Sequence, residues 1–171
     1  YAPAKPLKYW KIMSKFGIAG IYFPFTGEAI VNPDTPAPGI MFHMAHEMAH
    51  RLGVASEDEA NFVAYLACRE NQDRRANYAG YFMAYRYCIN ALYAEDRDAA
   101  NEISVGVEDL LRRDLIQLNE NIKKYEGKMT EKGEKINDTY LKVMSQEEGT
   151  KSYGMMVDLL IADYYSNIYD E

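Results

Sequence analysis

The spacing of hydrophobic positions along this chain changes once, near residue 40. Before it, apolar residues come in short clusters separated by turn formers. After it, they recur every three or four positions, which is the helical period. Leu7, Trp10, Ile12 and Met13 place apolar groups mostly on one side of a short helix over residues 7–16, with Gly17 as a stop. Ile18–Phe23 and Glu28–Asn32 are rich in β-branched and aromatic residues, and Pro24-Phe25-Thr26-Gly27 between them reads as a turn. The pair predicts a β-hairpin. Asn32–Gly39 holds three prolines and is expected to be a loop.

The helical pattern then takes over. A helix from about Ile40 to Leu52 is expected to stop at Gly53. Ser56 reads as an N-cap, and Glu59 completes a capping box for a helix of about Glu57–Glu70. A third helix covers roughly Arg74–Ala94, and a short one is expected near Asp96–Ile103. Val107–Tyr125 is amphipathic, with Leu110, Leu111, Leu115, Leu118 and Ile122 as a buried stripe. Gly127 and Gly133 punctuate a charged linker, and Thr139–Ser145 and Ser152–Ser166 give the last two helices. The expected architecture is a mainly α (α+β) single domain over 1–171. It has an N-terminal helical segment (1–16), a hairpin with a proline-rich loop (17–39) and a helical body (40–171).

Composition narrows the class. The 171 residues are 48% hydrophobic and 26% charged, which excludes a disordered chain. A net charge of -7 argues against nucleic acid as a partner. No apolar run reaches the 18 or so residues of a membrane span. Lys5, Lys8, Lys11 and Lys15 make the N-terminal segment basic, as either a juxtamembrane stretch near anionic lipid or a solvated helix face. The chain begins at Tyr1, as a processed product or an excised piece would. Cys68 and Cys88 are not in a CxxC pair, so they read as either one disulfide or two small buried hydrophobes.

The chemistry is concentrated in one place. All three histidines, His43, His46 and His50, lie within eight residues, and His46-Glu47-Met48-Ala49-His50 is an HExxH motif. On a helix, positions i and i+4 lie one turn apart on one face, so both imidazoles can reach one zinc ion. Glu47 would flank the metal as a general base for a water held there. Apolar and small neighbours, Met44, Ala45, Met48 and Ala49, suit a buried helix, where polar groups need partners. A catalytic zinc wants three protein ligands and an open position. Glu57 and Glu59 are both candidates for the third. The capping box occupies Glu59 and leaves Glu57 for the metal, although both acids would also favour the helix dipole. Asn61, one turn after Glu57, could orient His46 or His50. His43 is a candidate ligand too, but an outer supporting or packing role suits it better, because a nearby acid is the better third ligand.

HEMAH followed by E-x-x-A-N on the next helix resembles the gluzincin zinc metallopeptidases. The resemblance implies Glu57 as third ligand, with Asn61 where aspartate is common. GIYFPFTGEAIVN, HEMAHRLGVASEDEANFVAYLAC and YLKVMSQEEGTKSYGMMVDLL together resemble a bacterial family, domain of unknown function 3810, over most of the chain. That resemblance implies a zincin-like helical domain that follows membrane-spanning helices. It places the chain at the bacterial cell membrane, on the extracytoplasmic side, while the gluzincin likeness implies a peptide or protein substrate. The hairpin would then either pair an extended peptide along one strand or merely cover the helices. The transition-state oxyanion needs an electrophile, for which Tyr153 and Tyr140 are candidates. The rival readings are a zinc-containing peptide-binding or signalling module without catalysis, and a metal-free interaction domain.

Overall fold

In the computed structural model, which describes residues 3–133, 135 and 153–169, the hairpin forms as its sequence predicts. Gly27, at φ +66°, takes the left-handed conformation that closes the turn, and its N–H donates to Phe23 O at 2.8 Å. The described elements in order are β1 (Lys5–Pro6), α1 (Trp10–Lys15), β2 (Gly20–Phe23), β3 (Glu28–Val31), α2 (Ala37–Arg51) and α3 (Glu57–Arg69). α4 (Arg74–Glu95), α5 (Arg97–Val105), α6 (Asp109–Tyr125) and α7 (Tyr153–Tyr169) follow. The fold is mainly α with a small three-stranded sheet. Among the described residues no helix is long and apolar enough to cross a membrane.

The sheet order is β1-β3-β2, with β1 parallel and β2 antiparallel to β3. One face carries buried Ala29 and Val31 with their partners Tyr22 and Gly20, and both β2 and β3 contact α2. The other face exposes Ile21 and Phe23. Asn32 N–H donates to Ala19 O at 2.8 Å. By antiparallel alternation the bonded pairs are therefore Ile21–Ile30 and Phe23–Glu28. The main-chain groups of Gly20 and Tyr22 point to the outer edge of β2, which no described strand covers.

α2 is the central element, touching α3, α4, β2 and β3. The core beneath it joins Phe42, Ala64, Tyr65, Ala79, Phe82, Met83, Leu118 and Met156. α3 and α4 approach closely because Ala60, Ala64, Ala76 and Ala79 are small and buried. A Cβ added at Gly80 would lie 2.8 Å from Cys68 Cβ and 3.3 Å from Tyr65 O. Gly80→Ala is therefore expected to overpack this interface and cost about 1–3 kcal/mol, read as a lower urea midpoint with an unchanged slope.

Several expectations change. The short helix expected over residues 7–16 is confined to Trp10–Lys15, and Lys5–Pro6 ahead of it forms β1. Pro6 has no N–H to donate and is tolerated in an edge strand. Ile12, expected on the buried side, is 61% exposed, while Met13 and Ser14 are buried. α2 begins three residues early, at Ala37, because Pro38 falls in its first turn, where its missing N–H costs nothing. The α6 stripe is only partly covered: Leu118 is buried, Leu111 and Leu115 are half-buried, and Leu110 and Ile122 are exposed. Cys68 is a buried free thiol and Cys88 an exposed one, so they do not pair. The helix expected at Thr139–Ser145 lies outside the described residues.

Candidate metal centre

The centre is built at the end of α2 and the start of α3. Leu52 ends α2. Gly53, at φ +102°, donates its N–H to His50 O, and Val54 donates to Ala49 O at 3.1 Å. That is a Schellman termination, which requires the left-handed glycine. It does more than stop the helix. It brings Val54 O to 2.8 Å from His50 Nδ1, so Nδ1–H donates there and Nε2 presents its lone pair inward. Ser56 then caps α3 by accepting from Glu59 N–H at 3.4 Å.

These two turns bring Glu57 back beside α2. Its Oε2 lies 3.3 Å from His46 Nε2 and its Oε1 lies 3.5 Å from His50 Nε2. The two Nε2 atoms are 3.0 Å apart. Ligand atoms around a tetrahedral ion with bonds of about 2.0–2.1 Å stand roughly 3.3–3.4 Å from one another. The three residues therefore fit a metal ion, and among the described residues they form the group that could hold one. Their lone pairs face each other, so something positive must sit between them, a proton or a cation. Without metal, protons take that place. Burial pushes His50 down, but hydrogen bonding to Glu57, its charge, the Val54 carbonyl and Glu47 outweigh this and raise it. Burial pushes Glu57 up, but both imidazoles hold it down at about 2.

Glu47 lies on the same helix and is only 5% exposed. Burial, helped by the charge of Glu57 and opposed by His46 and His50, raises its carboxyl to about 7. Its side chain packs against Gly20 of β2, where an added Cβ would stand 2.5 Å from Oε1.

A raised carboxyl has a sign in stability. Between the ordinary 4.5 and about 7 the folded chain binds more protons at Glu47 than the unfolded chain, so its contribution falls as pH rises through that window. In metal-free protein, Glu47→Gln is expected to gain on wild type from pH 4.5 to 7, by on the order of 3 kcal/mol in total. Thermal melts across this range check it; a constant difference would contradict it.

The remaining sequence candidates take other places. Glu59 is exposed and serves the cap through its N–H. His43 is outside the ligand group and meets Phe42 edge-to-face at 5.9 Å. Burial, then the charges of His46 and Arg86, push it down to about 3, which favours the neutral ring. Asn61 is half-buried but reaches neither ring: His50 Nδ1 is taken by Val54 O, and buried His46 Nδ1 has no partner among the described residues. The orienting group that sequence reasoning missed is thus a main-chain carbonyl; Gly53 was the available signal. Tyr140 lies outside the described residues, as does the side chain of Tyr153.

A cleft of about 820 Å³ between α3, α4 and α7, lined by Tyr65, Tyr81, Tyr85 and Tyr164, contains none of these groups. Its cation, Arg69, is engaged by Glu70 at 2.8 Å and by Asp163.

Residues 1–161 match the family described as protein of unknown function, DUF3810. The chain belongs to that family. No curated protein and no solved structure matches it. As a DUF3810 member it carries the HEMAH helix and Glu57 within the matched span.

Proposed function

We propose that the chain is a zinc metallopeptidase of the gluzincin kind, hydrolysing a peptide or protein substrate. The observation that carries this reading is the convergence of His46, His50 and Glu57, with a buried Glu47 on the helix that carries both histidines. Two imidazoles and one carboxylate are a donor set that suits zinc and leaves a fourth position for water or substrate. Zinc, when bound there, supplies Lewis acidity to a water and to a substrate carbonyl.

The chain's own residues supply the rest. Glu47 takes the proton of the attacking water on its carboxylate and returns it to the leaving amine. Val54 O fixes the His50 ring. The outer edge of β2, which no described strand covers, offers the main-chain groups of Gly20 and Tyr22 to an extended peptide, next to Glu47. The parent is proposed to be membrane-anchored with this domain outside the cytoplasm, which would make its substrates proteins of the cell envelope. That placement rests on the family resemblance.

The test is an unbiased peptide mixture incubated with metal-stripped protein, with and without one equivalent of zinc. Zinc-dependent cleavage is expected. One zinc bound per chain with no cleavage of any peptide would replace this reading with that of a zinc-containing binding module.

A further inference from the structure

We propose that Gly20 is a positioning residue for Glu47: its missing side chain is the slot that holds the Glu47 side chain beside the ligand group. The proposal deepens the peptidase reading and rests on it for its functional meaning. The contact itself does not depend on that reading.

Glycine inside a strand needs a reason, because it loses more backbone entropy than other residues and packs nothing. Backbone conformation gives none here. Among the described residues the glycines with positive φ are Gly17, Gly27, Gly53 and Gly127, and Gly20 is not one of them. Its strand geometry would accept any L-residue. The space around it does give a reason. A Cβ at position 20 would meet Glu47 Oε1 at 2.5 Å, Cγ at 2.7 Å and Cδ at 2.9 Å, and these three are its nearest neighbours. The atoms in the way belong to one flexible side chain. An alanine would therefore leave β2 in place and drive the whole Glu47 side chain out of its slot.

Position 20 is also well placed to matter. It pairs with Val31, so it shares the sheet face that packs on α2. It lies on β2, an edge strand of the described sheet. One residue thus offers main-chain groups outward along the edge and a bare Cα inward to the carboxylate. Glu47 is held between that strand and its own helix, almost fully buried, one residue after His46 and three before His50.

The experiment uses Gly20→Ala, Glu47→Ala and the double variant. Each is stripped of metal for melting curves and loaded with one equivalent of cobalt(II) for visible spectra. Gly20→Ala is expected to bind one cobalt, as wild type does, but to show the spectrum of Glu47→Ala. A fold-only role would not move the spectrum in that way. The stability effect is expected to depend on which residue stands at position 47. With Glu47 present, Gly20→Ala leaves the melting midpoint equal or lower. In the Glu47→Ala background it raises the midpoint, because the clash is gone and a strand glycine has been removed. If Gly20→Ala alone does not fold, the double variant is expected to fold. A wild-type cobalt spectrum in Gly20→Ala, an equal midpoint shift in both backgrounds, or an unfolded double variant would each overturn the proposal. Failure of wild type to cleave peptides would sink the peptidase reading and leave this coupling standing.

Discussion

Glu47→Gln is expected to keep one zinc per chain and to lose about 10²–10⁴-fold in peptide hydrolysis. Glutamine has nearly the shape of glutamate, so it can occupy the slot beside Gly20, and it cannot accept the water's proton. The ligand atoms belong to His46, His50 and Glu57, so metal affinity is expected to change little. The loss is expected in kcat, with KM nearly constant, because the interaction removed exists in the transition state. Wild-type turnover in zinc-loaded Glu47→Gln would remove the general base from the account. A loss matched by an equal loss of zinc would make Glu47 a structural support.

Glu57→Gln and Glu59→Gln are expected to differ sharply. Both acids lie in the first turn of α3, and both would favour its dipole equally. Only Glu57 lies against the imidazoles, at 3.3 and 3.5 Å. Glu57→Gln is expected to weaken zinc binding by well over the roughly 10–100-fold typical of groups that support a ligand from outside. Glu59→Gln is expected to leave it unchanged. Without metal there is a pH signature as well. The carboxylate sits at about 2 in the folded chain against an ordinary 4.5. Its stabilising contribution is therefore present above 4.5 and fades as pH falls toward 2. Metal-free Glu57→Gln should melt below wild type at neutral pH and converge with it in acid. Titration calorimetry and melts read both effects.

The features legible in the sequence are local. HEMAH fixes two imidazoles one turn apart, Gly53 ends the helix and Ser56 starts the next; the spacing of those signals forces Glu57 back toward the histidines. The hairpin was equally readable from two β-rich runs around one turn. What was hidden depends on contacts between distant segments. Nothing local marks Lys5–Pro6 as a strand, because the reason is the β3 edge some 25 residues on. Gly20 reads as an unremarked residue of a β-run until Glu47 is seen filling the space beside it. Asn61 was placed by its spacing from Glu57, but the main chain at Val54 had already satisfied His50. The α6 stripe failed for a related reason: the helical period tells which residues share a face, not how much of that face another helix covers.

The most direct measurement is elemental analysis of the purified chain after equilibration with zinc and removal of loosely held ions. One zinc is expected per wild-type chain, one in Glu47→Gln, and none in the His46→Ala/His50→Ala variant. Zinc should also raise the wild-type melting midpoint by an amount equivalent to about 2.7 kcal/mol at a free concentration 100-fold above Kd. A wild-type chain that holds no zinc, or a double-histidine variant that still holds one, would contradict it.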